Sequence, residues 1–425
     1  MEIRDFLNTR YGISPSVADF VSQCEEELAP VFAGIEKTKQ YNNLKVLNAF
    51  QESQVANRHF FGTTGYGYSD EGRDKLGEVF AHIFGAEKAI VSPQVCSGTH
   101  ALTIALFGLL RPLDAMLSIT GRPYDTLLGV IGLGQGGNGS LAEFSIKYLE
   151  TELTHGHIDV QRVLDMLHLN KNIKMVYLQR SRGYEWRPSI PVAEIGEAIQ
   201  RIKERFPNVL AVVDNCYGEF TEPLEPTDVG ADLIIGSLIK NPGGGIAPTG
   251  AYFAGRADCI DRVGERLTCP GIGTEIGSYL AGYLPYYQGI YLAPTIVATA
   301  LKGAVLTSRV FQKLGYQVFP EFSQPRTDIT QAIRFQTEEE LVAYIRSVQE
   351  ASPVDSHVTP YPWDMPGYQD QVIMAAGAFI QGGSIELSAD APIREPYIAY
   401  MQGGMTYEQV RLSVMLAIKN IGLEI

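Results

Sequence analysis

The sequence runs to 425 residues, with 34 Lys and Arg against 48 Asp and Glu, a formal charge of −14. Hydrophobic residues make up 45% and charged residues 19%, a globular balance that excludes wholesale disorder. The acidic surplus argues against a nucleic-acid protein, whose affinity rests on basic groups that neutralise phosphates.

At roughly 150 residues per domain, this length predicts two or three domains. Residues 1–55 read as a helical arm, with Val17, Phe20, Val21 and later Leu44, Val46, Leu47 at helical spacing. The run FFGTTGYGY (60–68) breaks that period with three glycines and reads as a loop. A helix follows over about 72–84, then a strand over Lys88–Ser92, and elements alternate from there. Strands are predicted at 116–120, 174–179, 209–214 and 232–236, with helices between them, as near 193–205. Short, almost continuous apolar strands alternating with helices argue a mostly parallel sheet covered on both faces. The pattern changes near residue 300. A long helix (about 293–314), strands near 316–320, a helix near 337–350, a hairpin within 371–400 and a last helix capped by Thr406 outline a smaller α+β domain. The expected domains are therefore 1–55, 56–300 and 301–425.

Five cysteines lie scattered without a Cys-x-x-Cys pair, which reads as reduced thiols. The first residues, MEIRD, carry no apolar leader, and no window approaches ~18 consecutive apolar residues. A cytoplasmic location is the expectation.

The strongest local constellation joins VVDNCYGEF (212–220) to LIIGSLIKNPGGG (233–245). Asp214 ends one apolar strand and Lys240 lies just past the end of the next. Ligands of such sheets bind outside the carboxyl ends of the strands, so both side chains are expected in one crevice. A lysine in an apolar crevice loses stabilisation of its charged form, which favours the neutral nucleophile that a Schiff base needs. A nearby carboxylate is what pyridoxal phosphate requires to keep its ring nitrogen protonated. An Asp that caps a helix and a Lys on a surface loop would also satisfy the pair. The second constellation is SPQVCSGTH (92–100), which opens an apolar run. Ser97, Gly98 and Thr99 sit at a predicted helix N-terminus, where free N–H groups make an anion site, although Ser97 serves equally as a plain cap. Ser237, three residues before Lys240, could add a hydroxyl to the same phosphate.

These segments, together with GYGYSDEGRDKL (65–76), GRPYDTL (121–127), SLIKNPGGGIAPTGAY (237–252) and ELSADAPIREPY (386–397), resemble the aluminium resistance or methionine gamma-lyase family. That family is one of fold-type I pyridoxal-phosphate enzymes of cysteine and methionine metabolism. The resemblance implies a three-layer α/β sandwich and a carbon–sulfur lyase acting on cystathionine, cysteine or methionine by β- or γ-elimination. It implies that Lys240 is the Schiff-base lysine and catalytic base, that Asp214 pairs with the pyridine nitrogen, and that Tyr124 stacks on the ring. It also implies that Tyr66 and Tyr68 reach a neighbouring subunit's site, making a homodimer or homotetramer with shared active sites. The sequence departs from the related lyases in three places. Ile239 replaces the Thr before the lysine. Gln179–Tyr184 replaces an Asn-Pro turn, leaving Arg180, Ser181 or Arg182 to meet the cofactor's phenolic oxygen. The substrate-carboxylate arginine falls to Arg394, just past an expected strand over Ser384–Leu387, and Arg411 reads as a solvated helix residue. A transferase or threonine-aldolase-like enzyme, or a non-catalytic binding protein, remains an alternative. The string Gly132–Gly137 satisfies a dinucleotide fingerprint without the strand that should precede it, and His155 with His157 lack a third ligand at metal spacing.

Overall fold

The computed structural model describes residues 3–133, 138–365 and 370–425. The chain divides into two compact units, one formed by residues 41–293 and the other by the first 40 residues with residues 294–425.

Among the described residues of the larger unit, seven strands form one sheet: β1 (Lys88–Ser92), β2 (Ala115–Ser118), β3 (Lys147–Glu150), β4 (Ile173–Gln179), β5 (Leu210–Asp214), β6 (Leu233–Ser237) and β7 (Ala251–Gly255). Their order is β1-β7-β6-β5-β4-β2-β3. All neighbours pair in parallel except β7, which runs antiparallel to both β1 and β6. Period-2 alternation explains the two covered faces. Met175, Tyr177, Val212, Leu233, Ile235 and Phe253 share a buried core with the helices Gly98–Leu109 and Ala257–Leu267. The intervening Val176, Leu178, Val213 and Ile234 are equally buried. Because β7 alone is reversed, β1, β2, β4, β5 and β6 all end on the same side of the sheet. Ser92, Ser118, Gln179, Asp214 and Ser237 mark that edge.

In the other unit the described strands β8 (Gln317–Phe319), β9 (Gln331–Arg334), β10 (Val372–Ala375), β11 (Ser388–Pro392) and β12 (Ile398–Gln402) form an antiparallel sheet in the order β10-β11-β12-β9-β8. Helices Glu338–Glu350 and Tyr407–Ile421 pack on each other, and the second also packs on Pro15–Glu27. The strand expected over Ser384–Leu387 instead occupies Ser388–Pro392, so the segment read as a linker is the strand. Ser, Asp and Pro are poor strand formers, and here pairing to both neighbours overrides that preference. The long helix Leu284–Lys313 is apolar enough to cross a membrane by length and composition alone, but most of its most apolar stretch is buried in protein.

Candidate active site

The edge where the parallel strands end gathers most of the predicted residues of the larger unit. β1 leads to Ser97, whose hydroxyl accepts from His100 N at 3.0 Å and so caps Gly98–Leu109. Thr99 Oγ1 lies 2.7 Å from Thr126 Oγ1. A Cβ added at Gly98 would stand 3.8 Å from Cys216 Sγ and 3.8 Å from Ser237 Cβ. That places the helix N-terminus between the ends of β5 and β6. Beyond β2, Tyr124 opens the helix Asp125–Ile131, and its N–H donates to Gln179 Oε1 at 2.7 Å. Its ring meets Tyr184 edge-on, with centroids 5.8 Å apart.

Asp214 is buried at the end of β5. Its Oδ1 accepts from Cys216 N at 3.1 Å, and Tyr177 Oη donates to Oδ2 at 3.4 Å. The turn that follows uses two non-glycine residues in the left-handed region, Tyr217 (φ 73°) and Phe220 (φ 62°). Such strain collects where a side chain must be aimed. The Tyr217 ring lies under Lys240, whose Nζ is 4.2 Å from the ring centroid. Lys240 is half-buried and begins the short turn Asn241–Gly243. An apolar crevice was expected to push Lys240 toward its neutral form, and the structure corrects this. Burial does act in that direction, but Cys216, Tyr217, Asp214 and Glu219 outweigh it and raise its pKa above the ordinary lysine value. The groups of the turn after β5 therefore favour the charged form of the lysine.

Behind this edge lies a buried polar network that the sequence did not reveal. Arg180 is fully buried. It donates to Asn215 Oδ1 at 2.8 Å, to Thr221 Oγ1 at 3.4 Å and to Glu222, with Glu225 at 3.7 Å. Its guanidinium is thus taken up by the turn after β5. The Ser181 carbonyl accepts from Gln179 Nε2 and Arg187 Nη2 at 3.2 and 2.7 Å. The segment replacing the Asn-Pro turn therefore holds the turn and Tyr124 in place. Asn215 Nδ2 donates to Glu225 at 3.0 Å and to Tyr252 Oη at 3.3 Å, and Tyr252 donates to Glu219 Oε1 at 3.0 Å. The one available signal was Glu219 itself, an acid set among apolar residues in a string that contains Asp214.

Tyr66 and Tyr68 are 69% and 63% exposed, with ring centroids 5.5 Å apart. Arg394, in the turn between β11 and β12, is half-exposed and holds Asp370 Oδ2 at 2.8 Å. Arg411 is not solvated. Its Nε donates to both Glu25 oxygens at 3.0 Å and its Nη2 to Ser22 Oγ at 3.0 Å, joining two helices. His157 Nδ1 meets Glu194 at 3.0 Å. Gly132 is a left-handed helix cap (φ 93°), while Gly134–Gly137 of the fingerprint-like string lie outside the described residues. A cavity of about 530 Å³ lies along β1 at the sheet's edge, lined by Arg73, Lys88, Gln94 and Tyr279 among others, and includes none of the residues that converge on Lys240.

An ammonium and a carboxylate at adjacent strand ends, beside an open helix N-terminus and a buried serine, form a donor set that fits pyridoxal phosphate. The match to known proteins agrees. Residues 17–422 match the family model described as methionine gamma-lyase. The chain belongs to that family. The uncharacterized protein YnbB of Bacillus subtilis (strain 168) is 49% identical over 401 residues, 94% of this chain and 95% of its own length. A crystal structure described as a carbon-sulfur lyase involved in aluminum resistance, from Clostridium novyi NT, is 46% identical with a TM-score of 0.95, covering 99% of each chain. The pyridoxal-5'-phosphate dependent protein YhfS of Escherichia coli, at 16% identity and a TM-score of 0.61 over 90% of this chain and 95% of its own, shares the fold alone. The fold-type I architecture and the aluminium resistance or methionine gamma-lyase family read from the motifs are thus the ones found, and the family is one of carbon–sulfur lyases.

Proposed function

We propose that this family member is a pyridoxal-phosphate-dependent carbon–sulfur lyase that cleaves a sulfur amino acid of the cystathionine, cysteine or methionine type by β- or γ-elimination. The observation that carries the reading is the convergence of Lys240, Asp214 and the Gly98 helix N-terminus on one sheet edge. Bound there, the cofactor would supply an electron sink for the substrate's α-carbon.

The chain's own residues supply the rest. Lys240 Nζ holds the proton that must leave before it can act as a nucleophile, and it later takes the proton from the substrate's α-carbon. Asp214, fixed by the Cys216 N–H, presents a carboxylate to a ring nitrogen. Backbone N–H groups of the Ser97–Thr99 segment and the Ser237 hydroxyl receive the phosphate, and Tyr124, clamped by Gln179, offers a ring face. Arg394 binds the substrate carboxylate, the contact that its guanidinium already makes with Asp370. Tyr66 and Tyr68, exposed on a glycine-rich loop, serve the active site of a second copy, giving a homodimer or homotetramer. Five free cysteines suit a reducing compartment, and we assign the protein to the cytoplasm.

The test is a panel of sulfur amino acids offered to the purified protein, with keto acid and thiol release followed together. Release of both from one substrate supports the reading. A protein that takes up pyridoxal phosphate yet releases neither from any of them sinks it.

A further inference from the structure

Glu219 plays no part in the reading above, yet its surroundings are specific. It follows the strained turn residue Tyr217 and is fully buried. Its main-chain carbonyl accepts from the side chain of Asn241, the residue next to Lys240, at 3.0 Å. Its Oε1 accepts from Tyr252 Oη at 3.0 Å, and Tyr252 Oη in turn accepts from Asn215 Nδ2 at 3.3 Å. One directional chain therefore runs from the residue beside Asp214, across β7, to Glu219. Its Oε2 is buried without a hydrogen-bond partner. Room for the carboxyl exists because residue 236 on β6 is glycine, where a Cβ would collide with both the Tyr252 ring and Glu219 Oε1. A buried, half-satisfied carboxyl is costly, and a sheet glycine that admits it gives up packing. A purely structural core would put an apolar side chain there.

We propose that Glu219 is a positioning residue for Lys240, holding the lysine loop against the Asp214 turn and modulating the lysine through its own charge. The inference rests on Lys240 being the reactive amine of the proposed site. Burial, with Glu225 adding to it, pushes the Glu219 carboxyl up to about 8, while Tyr252 and Lys240 pull the other way. Below that pH the carboxyl is neutral. Above it, a negative charge arises near Lys240 and favours the ammonium over the neutral amine. Asp214, Cys216 and Tyr217 are the other groups acting on the lysine, and Arg180 and Glu225 flank the same network.

The experiment compares wild type, Glu219→Gln and Lys240→Met, with Glu219→Ala as a stability control. After removal of any bound cofactor, the rate of forming a borohydride-reducible adduct with pyridoxal phosphate is measured from pH 6 to 10. In wild type the rise with pH should lag above about pH 8, and in Glu219→Gln it should continue, leaving the variant roughly three- to tenfold ahead at the alkaline end. Glutamine preserves the Tyr252 hydrogen bond, so a structural role alone predicts identical profiles, and identical profiles overturn the proposal. A second measurement needs no cofactor. Infrared titration should find a carboxyl C=O stretch that disappears near pH 8, is absent in Glu219→Gln, and titrates about one pH unit higher in Lys240→Met. An unmoved titration in Lys240→Met overturns the proposal. Absence of any adduct on Lys240 alongside a moved titration would instead remove the proposed function and leave the coupling standing.

Discussion

Lys240 Nζ stands 4.2 Å above the ring of Tyr217, a residue wound into the left-handed region at φ 73°. The contact ties the turn after β5 to the loop after β6, the two segments on which the proposed chemistry depends. An L-residue in that conformation costs about 1–2 kcal/mol relative to glycine, and an ammonium over an aromatic face returns about 0.5–2 kcal/mol. Tyr217→Ala loses the contact and keeps most of the strain, whereas Tyr217→Gly loses the contact and relieves it. Urea unfolding should find the glycine variant more stable than the alanine variant by about 1 kcal/mol. Equal stabilities would mean that the turn is not strained.

Lys240→Ala should abolish covalent attachment of pyridoxal phosphate while leaving the fold intact, because the half-buried lysine sits on a loop and takes no part in the packed core. After borohydride reduction of wild type, peptide mass spectrometry should place the adduct on Lys240. An adduct on another lysine would reassign the site.

Arg180 lies 3.7 Å from the fully buried Glu225 and donates to Asn215 Oδ1 in the turn after β5. Arg180→Met removes the cation beside Glu222 and Glu225 and leaves the Asn215 side-chain oxygen without its donor, and breaking such a buried pair costs about 3–5 kcal/mol. Chemical denaturation should show a drop of this size. A drop below about 1 kcal/mol would mean that the network is solvated.

The two C-terminal arginines should separate cleanly. Arg394→Ala should weaken amino-acid binding by roughly one to two orders of magnitude with the cofactor absorbance near normal. Arg411→Ala should leave binding unchanged and reduce stability by about 1.5–3 kcal/mol, the range for hydrogen bonds to charged groups, because it unties Glu25 and Ser22. Substrate titration and thermal melts on both variants check this pair, and the reverse pattern would make Arg411 the anchor.

Glu219 also fixes a pH dependence of stability. Its folded pKa, about 8, lies above the ordinary value of 4.5, so between those limits the native state binds a proton that the unfolded chain has released. Stability contributed by this group therefore falls as pH rises through that window and levels off above it. Glu219→Gln removes the slope. Relative to wild type the variant should gain stability steadily from about pH 4.5 to 8, by a few kcal/mol in order of magnitude, and gain nothing further above pH 8. A flat difference across the window would place the acid in contact with water.

The larger sheet was legible where strands are buried on both faces. Lys88–Ser92 was read at its observed limits, and β4, β5 and β6 to within a residue, because their apolar runs are nearly continuous. β3, with the polar ends Lys147 and Glu150, and β7, short and rich in small residues, gave no such signal. Lys240, Asp214 and the Ser97–Thr99 segment were visible because each sits at a strand or helix end. Tyr217 and Glu219 were not, and Arg180 was read for a cofactor contact rather than for the buried network it joins, since what defines them is pairing across β5, β6 and β7 that no local pattern records. The expectation of a neutral lysine failed for the same reason. The groups that favour its charged form, Cys216, Tyr217, Asp214 and Glu219, gather at the end of β5 and in the turn after it.

The reversal of β7 has a consequence for redesign. Ser237 and Ala251 are direct partners across β6 and β7, so residues 238–250 leave the sheet and return at the same rung. The lysine thus travels on a closed excursion rather than on a crossover helix that the sheet needs for its connectivity. Such an excursion can be treated as a cassette. Replacing it with a short hairpin turn leaves every strand partner in register, and a graft from a distant relative would arrive with both of its anchor points already aligned.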